Sequence, residues 1–297
     1  MRPSLLHENV NAKALLAFRL YVFGLWFVMV ARDPLARLAA LPESYYVPVG
    51  PLRLLPDALE AGLLSVTGLT ALKIALLVLI GLSLLPRLFR YAALPAALLL
   101  IVYQALIRGF GHVNHAEIIP LLAALTLAVF AVLPERRGGA GYNPHAVPLI
   151  AVALVAAICY GMVGFFRLFQ GVDIFTGDTI LNFLVSRSLR TSYHDFNLGG
   201  LVATWPLAAL VLKAGFPVVT LVEALAPLVL VSRLFRWVFF AVMVPFHLLT
   251  ILLMEVSFVE NLLLYVFFVD VARLAPGLFA RPTPSPPVAA PQPGARA

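Results

Sequence analysis

Long apolar runs alternate with short polar connections along most of this chain, at a spacing that predicts membrane-crossing helices. Runs dominated by Leu, Ala, Val and Phe cover residues 14–31, 68–85, 92–107, 117–133, 148–167, 198–214, 217–232, 237–254 and 257–273. A helix needs about 17–25 residues to cross the hydrocarbon core. Several runs are short for that, so the pattern predicts eight or nine spans. Turn-forming residues mark the divisions: Pro86 with Arg87, Pro134 followed by Glu135-Arg136-Arg137-Gly138-Gly139, and Gly215-Phe216-Pro217 between the sixth and seventh runs. The expected fold is all-α, a polytopic membrane helical bundle without internal repeats. Its expected parts are a polar N-terminus (1–13), a transmembrane domain (14–273) and a Pro-rich disordered tail (274–297).

Two connections are long. Residues 32–66 carry Tyr45-Tyr46, suited to an interfacial belt. Residues 168–197 contain a candidate interfacial helix near 178–190. There Asn182, Ser186 and Arg190 repeat at i, i+4, i+8, apart from Ile180, Phe183, Leu184 and Leu189, and Asp178 stands at the capping position.

Composition turns the pattern into a membrane assignment. The 297 residues are 62% hydrophobic and 12% charged, with a mean hydropathy of +0.98. A soluble fold of this size has too little interior for so much apolar surface. The net charge of +7 does not mark a nucleic-acid binder, because the basic residues sit in short clusters between apolar runs: Arg87/Arg90, Arg136/Arg137, Arg187/Arg190 and Arg233/Arg236. Their distribution predicts a cytoplasmic N-terminus, with Arg233 and Arg236 breaking the pattern under a nine-helix count. Richness in Ala, Leu, Pro and Arg is associated with GC-rich bacterial genomes, and the expected location is a bacterial cytoplasmic (inner) membrane. The single cysteine, Cys159, reads as a packing residue.

Candidate chemistry lies in polar groups within the apolar runs, since a charge at mid-bilayer costs about 2.5–3.5 kcal/mol on insertion scales. These are Arg19, Lys73, Glu117, Glu223, His247 and Glu255, with snorkelling the simplest account of Arg19 and Lys73. The segment Gly109-Phe110-Gly111-His112-Val113-Asn114-His115-Ala116-Glu117 crowds imidazoles, an amide and a carboxylate at one helix mouth. It reads equally as a helix start, with Asn114 as N-cap and Glu117 completing a capping box. His112, His115, Glu117 and His194 supply ligand types for Zn or Fe. They lack the repeated His clusters of membrane desaturases, so no metal is expected and this set stays an alternative.

Six segments, in order, resemble one family. They are Phe18-Arg19 with Phe23-Gly24, the Tyr45-Tyr46 stretch ending at Leu54-Leu55-Pro56, and Asn114-His115. Gly164-Phe165-Phe166-Arg167-Leu168 with Gly171, Asp173 and Gly177 follows, then Glu223 with Pro227 as a Glu-x-x-x-Pro helix start, then Phe246-His247. Together they are similar to the horizontally transferred transmembrane (HTTM) domain, which includes the membrane domain of the vitamin K-dependent γ-carboxylase. The resemblance covers about residues 10–272 and implies a lipophilic, quinone-like substrate. In that reading His115 and His247 are catalytic, and Asn114, Arg167 and Glu223 bind substrate. The resemblance also implies that a Lys in the Gly164–Leu168 segment acts as base. Here that position is Arg167, which stays protonated, so glutamate carboxylation is not expected. Three readings remain open: a membrane enzyme of lyase or oxidoreductase type, a non-catalytic protein assisting maturation, export or electron transfer of a membrane or exported partner, and a proton-coupled transporter. The lack of internal symmetry and of Gly/Pro-broken helix pairs counts against the last.

Overall fold

A computed structural model of the chain describes residues 6–111, 117–134, 142–169, 178–188, 198–254 and 258–280. Among these residues there are helices and no strands. In order they are α1 (Ala12–Arg32), α2 (Asp57–Leu64), α3 (Val66–Ser83), α4 (Phe89–Gly109), α5 (Ile118–Val132), α6 (Ala146–Phe169), α7 (Asp178–Ser188), α8 (Leu198–Thr204), α9 (Pro206–Ala224), α10 (Arg233–Met254), α11 (Val259–Leu264), α12 (Val271–Leu274) and α13 (Pro276–Phe279). Tight 3-10 segments at Ala226–Leu230 and Tyr265–Phe268 follow α9 and α11.

Six described helices, α1, α3, α4, α6, α9 and α10, are long and apolar enough to cross a bilayer. The apolar α5 and the Val259–Phe268 stretch are shorter. This is a multi-pass membrane protein whose apolar helices face lipid. One expected boundary moves. Gly215-Phe216-Pro217 does not separate two helices, because α9 runs through it with Pro217 inside. A proline's lost hydrogen bond is tolerated in a membrane helix when neighbouring groups compensate. The break falls instead after Ala224. Glu223 therefore ends a helix rather than starting one, and Pro227 lies in the 3-10 segment beyond it.

The helices pack through small residues. α4 lies between α3 and α5, and α5 lies against α6. Ala93, Ala96 and Ala97 on α4, Ala123, Ala124 and Ala128 on α5, and Ala153, Ala156 and Ala157 on α6 are all buried. Lipid is as apolar as leucine, so membrane helices gain little from burying large side chains against each other. Small residues let backbones approach and dispersion contacts accumulate. The opposite stripe of α6, Leu154, Ile158, Met162, Phe165 and Phe169, is exposed at helical spacing.

Polar side chains close the helix ends. Asn11 caps α1 by accepting the Ala14 N–H at 3.0 Å, and Ser65 caps α3 by accepting from Gly68 at 3.0 Å. Lys73 turns to the other end of α1, donating to the carbonyls of Ala31 at 3.0 Å and Asp33 at 2.5 Å. A cation among terminal carbonyls offsets the helix dipole. The Asp33 carboxylate in turn accepts from the Tyr103 hydroxyl.

The two ends of the chain meet. Val10 and Ala280 form an antiparallel bridge, and the Asn11 amide donates to Leu278 at 2.8 Å and Ala280 at 3.1 Å. Asn143, before α6, donates to Glu8 at 2.9 Å and Val10 at 2.8 Å. His7 is fully buried, in the left-handed region (φ 64°), with Nε2 2.8 Å from the Phe267 carbonyl. Part of the polar N-terminus and the stretch 276–280 thus belong to the folded body.

Candidate functional site

The site begins with a close helix crossing. Gly161 and Gly164 on α6 face the end of α9. A Cβ on Gly164 would lie 2.2 Å from the Ala224 nitrogen and 2.7 Å from the Thr220 oxygen, and one on Gly161 would lie 3.3 Å from the Pro227 ring. No side chain fits at Gly164, so the two backbones nearly touch. Tyr160, Gly164 and Arg167 stand at i, i+4 and i+7, one face of α6. The crossing brings Arg167 onto Glu223, the penultimate residue of α9.

Arg167 donates through Nη1 to Glu223 Oε2. Burial is unequal: the glutamate side chain is 3% exposed and the arginine 29%. The rest of the guanidinium lies over Phe216, 5.6 Å from the ring centroid. A carboxylate in an apolar interior demands such a partner, since an isolated charge there is far costlier than a paired one. The protein itself thus supplies the anion that Arg167 meets.

His247 lies within α10 two residues after Pro245 and is 3% exposed. Neither ring nitrogen has a hydrogen-bond partner. Aromatic rings surround it, with centroids at 5.1 Å for Phe258, 5.3 Å for Phe246, 5.9 Å for Tyr265 and 6.1 Å for Tyr160. The Tyr160 and Tyr265 rings stand 5.7 Å apart. Their buried hydroxyls lie within reach of each other and have no other hydrogen-bond partner. The charge of Glu223 reaches both tyrosines and that of Arg167 reaches His247, so these five side chains form one electrostatic unit. A buried donor or acceptor left unpaired costs about 1–3 kcal/mol. The two ring nitrogens of His247, beside two hydroxyls with no partner but each other, are therefore groups that a bound polar molecule or water would satisfy.

Three residues flagged separately by the sequence, Arg167, Glu223 and His247, thus come from α6, α9 and α10 into one cluster. Tyr160 and Tyr265 join them. Tyr160 had a readable signal, the helical spacing to Gly164 and Arg167. Tyr265 had none, because it sits in a 3-10 turn. His112, Asn114, His115, His194 and Glu255 lie outside the described residues. Glu117 directly precedes α5 and makes no side-chain cap there. Its charge acts on Tyr103, which bonds Asp33 at the far end of α1. Among the described residues no group of three His, Cys, Asp or Glu side chains converges as a metal site would require. No protein-family model, curated protein or solved structure matches the chain.

Proposed function

We propose that this chain is a membrane protein of HTTM type that binds a lipophilic, quinone-like molecule at the Tyr160–Arg167–Glu223–His247–Tyr265 cluster. One observation carries the reading: both ring nitrogens of His247 are unpartnered deep among aromatic rings, beside the buried Tyr160 and Tyr265 hydroxyls. A neutral imidazole has one donor and one acceptor, and each phenol has both. That inventory suits the oxygens of a quinone or quinol head, while the aromatic walls suit its ring. His247 is the candidate acid–base group, and the Arg167–Glu223 pair sets the field around it. His115 and Asn114 remain proposed contributors through the resemblance. Carboxylation of glutamate is not part of the proposal, because Arg167 cannot act as a base and is already held by Glu223.

The proposed topology has eight crossings. The six long helices are joined by α5 and by the Val259–Phe268 stretch, and the meeting of Val10 with Ala280 calls for an even number. A cytoplasmic N-terminus is supported by Arg236, whose charge reaches His7, so the basic start of α10 shares the end of the molecule that holds the N-terminus.

The test is native mass spectrometry on protein extracted gently from its own membranes. A stoichiometric quinone-like molecule, lost in His247→Ala and in the Tyr160→Phe/Tyr265→Phe double variant, is expected. Protein carrying bulk phospholipid alone would overturn the proposal. A second reading, proton-coupled transport, gains from the two helix interruptions at Ala226–Leu230 and Tyr265–Phe268, which both pack on α6 beside the ionisable residues. Proton flux into liposomes that vanishes in His247→Ala would favour it, and sealed liposomes without flux would sink it.

A further inference from the structure

Several cations inside or beside the spans have partners supplied by the protein. Arg167 has Glu223, Lys213 has Asp178 at 2.6 Å, and Lys73 has the carbonyls of Ala31 and Asp33. Arg19, within α1, is different. Among the described residues it has no carboxylate partner, and its Nε is closed off without an acceptor. Its guanidinium stacks on Phe89, with Cζ 4.5 Å from the ring centroid. That ring is itself held edge-on against Phe23, with centroids 5.3 Å apart.

Phe89 is the first residue of α4, so the side chain of Arg19 reaches the membrane edge of that helix. Arg87 and Arg90 flank the ring in sequence and both are exposed, as is Tyr91. Neither α1 nor α4 contains an acidic residue. Arg19 thus meets the basic start of α4 through the Phe89 ring, and among the described residues no acidic side chain pairs with it. A half-buried guanidinium with an enclosed nitrogen is costly unless an anion meets it. Planar guanidinium forks match phosphate oxygens, and basic clefts between spans suit anionic headgroups.

We propose that Arg19, with the basic start of α4 around Phe89, holds the phosphate of an anionic phospholipid seated against α1 and α4. The acyl chains would lie along the apolar outer surfaces of the two helices, and the Phe89 ring would keep the guanidinium oriented toward the headgroup. A zwitterionic lipid offers the same phosphate but adds an ammonium, which the surrounding arginines repel. A free phosphate ion offers the same oxygens without the chains.

The experiment uses the full chain in nanodiscs of phosphatidylcholine with a minority of phosphatidylglycerol, released into the gas phase for native mass spectrometry. Phosphatidylglycerol is expected to be retained in preference to phosphatidylcholine, with retention falling about five- to tenfold in Arg19→Gln. Arg19→Lys keeps a point charge and is expected to fall between the two. Arg53→Gln, which removes an exposed arginine elsewhere, is expected to leave retention unchanged. A separate measurement needs no variant: phosphatidylglycerol is expected to raise the unfolding midpoint of the wild-type protein more than phosphatidylcholine does. Equal retention in wild type and Arg19→Gln, equal retention of the two lipids, or an adduct with the mass of bare phosphate would each overturn the assignment.

Discussion

Replacing Gly164 with alanine adds one methyl group where α6 and α9 cross, next to the Arg167–Glu223 pair. The new Cβ would stand 2.2 Å from the Ala224 nitrogen, 2.7 Å from the Thr220 oxygen and 2.8 Å from the Ala224 Cα. All three atoms are backbone, so no side-chain rotation relieves the overlap and α9 must move away from α6. Overpacking of this kind costs about 1–3 kcal/mol, and rigid neighbours push toward the upper end. Alanine returns about 1 kcal/mol through its better helix propensity. The net expected loss is about 2 kcal/mol, or a midpoint lower by on the order of 5 °C. Gly161→Ala is the internal control: its Cβ meets the Pro227 ring at 3.3 Å, a contact that a few tenths of an ångström relieve, so a much smaller loss is expected. Thermal or denaturant unfolding in detergent compares the two. The displacement also parts Arg167 from Glu223, one turn along, so Gly164→Ala is expected to weaken ligand retention as well. A Gly164→Ala protein as stable as wild type, or more stable than Gly161→Ala, would refute the close-crossing argument.

Two further outcomes follow from the buried polar groups. Glu223→Gln leaves Arg167 without its anion. Because Arg167 keeps 29% of its side-chain surface, the expected loss is about 2 kcal/mol, below the range of about 3–5 for a fully buried pair. The Arg167→Met/Glu223→Met double variant is expected to recover much of it, and a stability-neutral Glu223→Gln would contradict the account. Burial holds the His7 imidazole below its ordinary range, with Asp270 opposing that shift and Arg236 reinforcing it. The unfolded chain then takes up a proton that the folded one refuses. The contribution of His7 is complete above the unfolded value of about 6.5 and falls as pH drops below it, by at most about 1.4 kcal/mol per pH unit. Unfolding measured from neutral to mildly acidic pH is expected to show a shallower acid loss in His7→Gln, and identical slopes would dismiss His7 as the cause.

How much of this was legible beforehand depends on which physics wrote each feature. Span-length apolar runs are strong signals because lipid demands continuous hydrophobicity, and the α7 helix was visible through Asp178 and the polar spacing after it. The α9 boundary was not. Gly215-Phe216-Pro217 carries every local mark of a break, yet the helix continues, and the real interruption falls where Glu223 meets Arg167. Tertiary packing decided that, and single-sequence propensity does not contain it. Arg167, Glu223 and His247 were individually conspicuous as polar residues in apolar surroundings. Their convergence depends on a crossing set by two glycines and was invisible along the chain. Lys73 had a snorkelling account and turned out to close α1 through backbone carbonyls, a role with no side-chain partner to find in the sequence.

The clamp between residues 7–11 and 267–280 has a consequence for biosynthesis. Residues 7–11 leave the ribosome long before their partners at 267 and 278–280. Until residues 267–280 are made, the imidazole of His7 and the amide of Asn11 lack these carbonyl partners. Closure of the bundle therefore waits on synthesis of residues 267–280, and a chain stalled before Phe267 would hold its helices without this fastening. Such a nascent species would present an open seam to insertion and quality-control factors until residues 267–280 arrive.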